Sequence, residues 1–527
     1  MASMGLDGMV AGRRGGAMRR AAAWVAVAAA FAGLAGCAVG PDYHRPAVAV
    51  PDHFKEGVIW QRARPGTDLA LRDDWWRSYR DPVLDGLVVR ALKANQSIAA
   101  AAASYRVAQA TVRASAAAFY PTIGASAGQV RGGFGPGSPL IGILSGPSGA
   151  TAGGSNPFGG GGGGAAFYNL ASVMLTASWE PDLWGAVRRT VEAARASAQA
   201  SDAQLAGVRL SIAASVASDY FALRQADADI AVLQGERDTD ARIVRMTQAA
   251  VRVGASSQDT LRAAQDTLDA AVAALQSAQL AREQDEHAIA VLLGLAPAAF
   301  SLAPDPGYAF AVPAIPPVLP GPLLERRYDV VSAERTAAAA NARIGVAKAA
   351  YFPNLTLNAD GGFESGSFAH ILSIANRVWT IGPSLAVTLF NGGARDAAMD
   401  SARASYDQAV ANYRNTVVTA FQSVEDSLSS MRHLGVQATA QARILRRNER
   451  LYASARAQRQ VGATSEQDLL SARVTLLQAR QNRIDARAAW CESSVTLIKN
   501  LGGGWQADAA GASPAPVVAA TQSGSHP

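Results

Sequence analysis

The chain has 527 residues, of which 49% are hydrophobic and only 17% are charged. A chain this apolar can bury a sizeable core, which excludes global disorder. The formal net charge is only +6, and basic and acidic residues are interleaved, so the chain lacks the basic stripe of a nucleic-acid-binding protein. With two cysteines, a disulfide framework and a cysteine-based zinc site are also excluded.

The N-terminus has the pattern of a bacterial export signal. Arg19 and Arg20 precede an apolar run over residues 21–35, which is too short and too rich in Ala and Gly for a transmembrane helix. The run ends in Leu-Ala-Gly-Cys, with the cysteine at position 37, and this ending resembles a bacterial lipobox. An ordinary signal peptide that ends by chance in cysteine is the alternative.

We therefore predict a signal peptide over residues 1–36, with Met18 as an alternative start, and lipid attachment at Cys37. Ala38 follows this cysteine, where an aspartate would resemble an inner-membrane retention signal, so delivery to the outer membrane is favoured. No later stretch offers about 18 consecutive strongly apolar residues, which leaves a β-barrel as the expected membrane-spanning structure.

The chain repeats one plan twice. Residues 253–257, Val-Gly-Ala-Ser-Ser, return as residues 461–465, Val-Gly-Ala-Thr-Ser, and the same offset of 208 residues maps Gly185 onto Gly393. The predicted organisation is a lipidated N-terminal segment (37–82), a first repeat (83–312), a Pro-rich linker (313–322), a second repeat (323–503) and a disordered tail (504–527).

Each repeat is predicted to contain one helix, two strands, a very long helix and a shorter helix. From Gly185 to about Arg252 the sequence has no proline, which predicts a helix on the order of 100 Å long. In the helix that follows, apolar residues recur every seven positions, as Leu261, Leu268 and Leu275 do. This heptad pattern indicates a coiled-coil seam. An ordinary coiled coil without a channel is the alternative.

The strands are predicted from alternating residues. Residues 378–390, residues 172–179 and the run after Pro353 alternate apolar side chains with small or polar ones, which is typical of membrane-barrel strands. A soluble sheet is the alternative. Four strands cannot close a membrane barrel, which needs about eight, and lipid does not tolerate open edges. The pattern therefore predicts an oligomer with a shared barrel.

Several motifs together resemble the TolC family of outer-membrane efflux channels, in particular its NodT-type lipoprotein branch. The resemblance covers about residues 37–503 and is carried by Val39-Gly40-Pro41-Asp42-Tyr43, Asp74-Trp75-Trp76, Asp81-Pro82, the run Trp-Glu-Pro-Asp-Leu-Trp-Gly over 179–185, and Asn341-Ala342-Arg343-Ile344-Gly345 leading to Tyr351-Phe352-Pro353. Tyr328 departs from the pattern, which has proline at this position.

The resemblance implies an α+β membrane protein with an internal two-fold repeat. It implies a homotrimer in which each protomer gives four strands to a twelve-stranded outer-membrane β-barrel and long coiled-coil helices to a periplasmic α-helical barrel. It also implies a passive duct that exports small molecules, drugs above all, delivered by an inner-membrane pump of the RND type through a periplasmic adaptor. A non-channel periplasmic coiled-coil lipoprotein, such as an adaptor or an envelope spacer, is the alternative.

The family resemblance also points to the tips of the long helices. Adaptor docking is expected at the recurring tip residues Val253, Gly254, Ala255, Ser256, Val461, Gly462, Ala463 and Thr464. A closed constriction is expected from charged residues beside them, for which the candidates are Arg252, Asp259, Arg459, Glu466 and Asp468. Solvated tip charges without a gating role are the alternative.

No enzyme motif stands out. The Gly-rich stretch over residues 132–164 lacks the Gly-Lys-(Ser/Thr) ending of a P-loop and is predicted to be a flexible extracellular loop. Cys491 is predicted to pack against a neighbouring element. We expect no catalytic residues, no metal, no cofactor and no nucleic-acid partner.

Overall fold

A computed structural model of the chain describes residues 38–56, 74–134, 166–315 and 326–503. The predicted signal peptide, Cys37 and the tail over 504–527 lie outside the described residues, as do most of the Gly-rich stretch and of the Pro-rich linker. In the described segments, no helix combines the length and the hydropathy needed to cross a membrane.

The described residues form helices and strands, and some of the described connections contain 3₁₀ turns. In chain order the elements are α1 (Pro82–Ala94), α2 (Gln96–Ala117), β1 (Thr122–Phe134), β2 (Ala166–Trp179), α3 (Ala186–Arg252), α4 (Gln258–Leu292), α5 (Tyr328–Ala349), β3 (Asn354–Ser365), β4 (Arg377–Ala386), α6 (Ala394–Gln460) and α7 (Glu466–Asn500).

The prediction of very long helices is confirmed. Helices α3 and α6 each have 67 residues, and α4 and α7 each have 35. The bounds of α6 and α7 are those of α3 and α4 shifted by 208 positions. A helix of 67 residues is about 100 Å long. The heptad seam of α4 packs as expected, since Ala271 and Leu275 are buried while Asp266 and Asp269 are exposed.

The first helix predicted in the first repeat is divided into two helices, α1 and α2. The first repeat was expected to begin with a single helix, but the chain breaks at Asn95. The Asn95 side-chain Oδ1 accepts a hydrogen bond from the Ser97 N–H at 2.9 Å, so it caps the start of α2.

The four strands form one antiparallel sheet in the order β1-β2-β3-β4. The predicted end of the last strand at Phe390 is wrong, because β4 ends at Ala386. Ala386 pairs with Asn354, the first residue of β3, and the proline before Asn354 has no N–H to continue the ladder. The start of the predicted loop is also wrong, since Gly132 lies in β1 and pairs with Tyr168.

The chain divides into two compact units. The first contains the sheet and is built from Gln109–Ala196, Ala338–Asp407 and the N-terminal segment up to His44. The described part of the second is helical and lies within Arg45–Ala108, Ser197–Ala337 and residues 408–503.

The core of the second unit is aromatic. The rings of Tyr220 and Tyr308 meet edge to face with centroids 5.9 Å apart. Their hydroxyls both donate to the Asp81 carboxylate, at 2.7 and 3.0 Å. The same carboxylate caps the start of α1, where it accepts the N–H groups of Val83 and Leu84. The Asp-Pro motif therefore ties α1 to the core.

A buried ionic network fastens the segment that follows α4. Asp227 has no exposed side-chain surface and pairs with Arg224 at 2.9 Å and with Arg282 at 2.7 Å. Arg282 also donates to the Leu302 carbonyl at 2.6 Å, and Asp227 accepts the Asp305 N–H at 3.0 Å. One carboxylate thus joins α3, α4 and the connecting segment.

Substitution of Asp227 tests this network. Asp227→Ala leaves Arg224 without its carboxylate and leaves Arg282 with Glu286 alone, and we expect a loss of about 3–5 kcal/mol in the free energy of unfolding. Asp238→Ala is the control, because Asp238 forms an exposed pair with Arg237 and should change stability by less than about 0.5 kcal/mol. Denaturation of the detergent-solubilised protein, followed by circular dichroism, measures both. Equal small losses in the two variants would contradict a role for the network.

Candidate functional site: two helix tips and a two-faced sheet

Each long helix ends in a tight turn built on a glycine. Gly254 has a φ of +75° and Gly462 a φ of +74°, a left-handed conformation that only glycine adopts without steric cost. At both tips the glycine N–H donates to the carbonyl three residues earlier, and the next N–H donates to the carbonyl five residues before it, at 2.8–3.2 Å. These are Schellman motifs, which explains why glycine recurs at both tips.

The return helices begin at capped serines. Ser257 caps α4 by accepting the Thr260 N–H at 3.1 Å. Ser465 caps α7 by accepting the Asp468 N–H at 3.0 Å, while the Asp468 carboxylate accepts the Ser465 N–H at 3.2 Å. This reciprocal pair is a capping box.

The capping box accounts for one gate candidate. The Asp468 carboxylate accepts the Ser465 hydroxyl at 2.6 Å and the Thr464 hydroxyl at 3.2 Å. Hydrogen bonds from the Ser465 hydroxyl first, then from its N–H and from Thr464, hold the pKa of Asp468 below its usual range. Asp468 therefore shapes the turn and stays ionised.

Two other gate candidates meet at the tip. The Arg459 Nε lies 3.0 Å from one carboxylate oxygen of Glu466, and the Arg242 Nη2 lies 2.6 Å from the other. Only 19% of the Glu466 side chain is exposed. Glu466 thus joins the start of α7 to the last turns of both long helices.

The remaining gate candidates, Asp259 and Arg252, take no part in the ion pairs of Glu466. Asp259 pairs with Arg262 at 2.7 Å, but both side chains are largely exposed, so this pair contributes little to stability. Arg252 is exposed and forms no ion pair with any residue of the described segments. Val253 and Val461 are 78% and 80% exposed, so each tip presents an apolar side chain to its surroundings.

Arg242 was not among the predicted site residues. It lies 12 positions before Gly254 on a helix rich in arginine, and only the packing of α3 against α7 selects it. No local motif could have identified it, because the partner carboxylate is 224 positions further along the chain.

The sheet has one apolar face, as predicted. In register across the strands, Ile123 pairs with Ala177, Ala177 with Ala359 and Ala359 with Ile381. The large side chains on this face are exposed: Ile123 is 68%, Leu175 55%, Ile381 75% and Leu385 69% exposed. A continuous exposed apolar surface of this kind marks an interaction with a partner or a membrane.

The opposite face is polar. The Ser178 hydroxyl donates to the Asn358 side-chain oxygen at 2.9 Å, and the Thr380 hydroxyl donates to the Asp360 carboxylate at 3.1 Å. These pairs lie side by side on neighbouring strands. Water can therefore contact this face.

The segment after the predicted lipidation site is fastened near the sheet. The Val39 N–H donates to the Trp184 carbonyl at 3.0 Å, and Asp42 pairs with the buried Arg189 at 3.0 Å. Gly40 has a φ of +113°, and a Cβ placed on it would lie 2.5 Å from the Cα of Gly345. The motif over 39–43 is therefore a close-packed strap.

Burial perturbs several carboxyl groups between α3, α4 and α7. Burial raises the pKa of Asp219 to about 6, helped by repulsion from Asp285, and raises that of Asp229 to about 7, helped by repulsion from Asp485. Cys491 is fully buried and burial raises the pKa of its thiol to about 12, which confirms that it packs as predicted.

Comparison with known proteins gives one consistent picture. The family model described as "Outer membrane efflux protein" matches residues 87–295 and 319–503. The chain is 28% identical over 472 residues to a probable efflux pump outer membrane protein, TtgC, of Pseudomonas putida, which covers 90% of this chain and 93% of that protein. It is 31% identical over 455 residues to the pyoverdine export outer membrane protein OpmQ of Pseudomonas aeruginosa, covering 86% of this chain and 92% of that protein.

The fold is also that of a solved channel. The structure of the Campylobacter jejuni CmeC outer membrane channel is similar with a TM-score of 0.76 at 24% identity, covering 90% of this chain and 96% of that one. The long helices and the four-stranded sheet together therefore constitute a known channel fold.

The tip turns predict a selective effect of glycine substitution. Gly462→Ala places a Cβ in the left-handed conformation, and we expect a local cost of about 1–2 kcal/mol, read as faster amide exchange in the last turn of α6. Gly86→Ala is the control, because Gly86 lies within α1 with open space around it and should stabilise that helix by up to about 1 kcal/mol. Unchanged exchange at the tip would contradict the Schellman assignment.

The raised pKa of Asp229 predicts a pH-dependent stability. Because this pKa of about 7 lies above the value of the unfolded chain, the protonated carboxyl stabilises the fold at acid pH, and this contribution is lost as the pH rises through about 7. Asp229→Asn should therefore raise Tm more at about pH 8 than near pH 5, whereas Asp238→Asn, at an exposed site, should shift Tm equally at both. A pH-independent gain in Asp229→Asn would refute the assignment.

Proposed function

Because the chain belongs to the outer membrane efflux protein family, we propose that three copies of it assemble into one duct through the outer membrane. The chain is an outer-membrane component of an efflux system, which decides against the alternative of a non-channel coiled-coil lipoprotein. The trimer, its barrel and its partners are our proposal. The observation that carries it is the exposed apolar face of an open four-stranded sheet.

The sheet supplies four strands of a twelve-stranded barrel. Strands β1 and β4 are the edges of the sheet, and their outer backbone groups require partners if the apolar face contacts lipid. Three copies joined edge to edge satisfy these groups and leave no open edge. The apolar face then contacts lipid, while Asn358 and Asp360 face the water-filled lumen.

The strap fixes the proposed lipid anchor. Ala38, the first described residue, contacts Gly185 closely enough that a Cβ on that glycine would lie 2.8 Å away. The proposed lipid attachment at Cys37 directly precedes this close-packed contact in the sequence. The protein is thus a lipoprotein of the outer membrane with a periplasmic helical extension.

The tips are the proposed adaptor-docking sites. Val253 and Val461 present apolar side chains on two turns of the same geometry, which suits a partner that recognises both tips alike. The adaptor connects the duct to an inner-membrane pump of the RND type. The pump selects the cargo, which we propose to be small molecules such as drugs; one relative is named for pyoverdine export. The duct itself is passive and has no catalytic role.

The Glu466 cluster is the proposed lock of the closed tip. Its carboxylate holds Arg459 and Arg242 together across three helices, so the tip helices can separate only when these ion pairs break. Asp468, in contrast, belongs to the capping box in either state.

The proposal is tested first by the mass of the detergent-extracted mature protein. We expect a trimer that carries a lipid on Cys37, and in Cys37→Ala a trimer without the lipid. A stable monomer that needs no detergent would overturn the shared barrel, and an unlipidated wild-type protein would overturn the anchor alone.

The lock is tested by conductance of the purified protein in planar bilayers. Glu466→Gln removes the charge that holds both arginines, and we expect a several-fold higher open probability. Asp259→Asn is the matched control at the other tip, because its exposed pair with Arg262 lies within one helix, and it should conduct like the wild type. Equal conductance of both variants would refute the lock.

A further inference from the structure

The four long helices of the second unit lie side by side in a fixed order. Helix α4 contacts α3 through Arg282 and Asp227, 2.7 Å apart. Helix α3 contacts α7 through Arg242 and Glu466. Helix α7 contacts α6 where Leu476 packs on Leu445. The order is α4–α3–α7–α6, so α4 and α6 are the two edges.

The exposed apolar residues follow this order. Within the described residues, α3 and α7 have no exposed large hydrophobic side chain. The edge helices have six, which are Val272, Leu280 and Val291 on α4 and Val418, Val436 and Leu451 on α6. The exposed apolar side chains on the two edge helices therefore indicate an interaction surface on each of them.

The edges also carry opposite charges. Towards its tip, α4 exposes Asp259, Asp266 and Asp269, and α6 exposes Arg443, Arg446, Arg447, Arg450 and Arg456. None of these arginines forms an ion pair with a residue of the described segments, and neither does Asp266 or Asp269. An acidic edge and a basic edge on one molecule suit a head-to-tail contact between copies.

The internal repeat supplies the register of this contact. Helix α6 repeats α3 and α4 repeats α7 at an offset of 208 positions, so the contact of α3 with α7 is a template for a contact of α6 with α4 of another copy. In the template, a Cβ on Gly235 would lie 3.4 Å from Leu477. At the offset of 208, Gly235 corresponds to Arg443 and Leu477 corresponds to Asp269, and these two residues have opposite charges.

A second template contact agrees. Arg242 pairs with Glu466, and the equivalent positions are Arg450 and Gln258, with Asp259 as the next residue. We propose that α6 of one copy packs antiparallel on α4 of the next copy in this register, with Arg443 opposite Asp269 and Arg450 opposite the start of α4. The inference rests on the proposed trimer and specifies how its helical ring closes.

Paired cysteines test the register. In the double variant Arg443→Cys with Asp269→Cys, we expect oxidation to give covalent multimers, since a disulfide forms only where the Cα atoms are less than about 7 Å apart. Arg450→Cys with Asp269→Cys is the matched control. Position 450 lies seven residues from position 443 on the same helix face, about 10 Å along the axis, and should give no multimers. The fully buried Cys491 should not interfere.

Charge exchange gives an independent readout. Asp269→Arg and Arg443→Asp should each lower the temperature at which the trimer dissociates, and the double exchange should restore it. A trimer by native mass that cross-links only through the control pair, or not at all, would overturn the register and leave the proposed trimer intact. A monomer by native mass would overturn both.

Discussion

An open sheet with one apolar face sets the requirements for the rest of the molecule. The outer backbone groups of β1 and β4 have no strand partner among the described residues, and large side chains on one face are exposed. In water such a surface aggregates, and in lipid unpaired edges cost several kcal/mol each. A sheet of this kind is stable only where other strands cover its edges and an apolar medium covers its face. Membership of an outer membrane efflux family supplies the apolar medium, and the proposed trimer would supply the strands.

Stability is unevenly distributed along the helical unit. Around Asp81 and Asp227, aromatic rings and ion pairs are buried, and they join α3, α4 and the connecting segment. At the tips, the chain relies on glycine turns, serine caps and the accessible ion pairs of Glu466. Elements that open and close are drawn from regions of low local stability. The proposed lock therefore lies where the fold can release it without loss of its core.

The sequence predicted what depends on local pattern. The absence of proline gave the length of α3, and the heptad leucines gave the seam of α4. The recurring Val-Gly-Ala gave the positions of both tips. The end of β4 was missed because it depends on the partner strand, which starts at Asn354, and the break at Asn95 because one polar residue in a helical run is a weak signal. The capping role of Asp468 was not predicted, because a capping aspartate and a free one look alike in sequence.

The two halves of the repeat differ where their neighbours differ. Gly235 and Leu477 lie inside one protomer, where a close apolar contact forms as the chain folds. Arg443 and Asp269 occupy the equivalent positions on the free edges, where a copy must stay soluble before it meets another. Charged side chains keep such an edge hydrated and reject contacts between like edges, while an acidic edge still attracts a basic one. Divergence of the repeat at these positions is thus what would let one sequence fold as a protomer and still close the proposed ring.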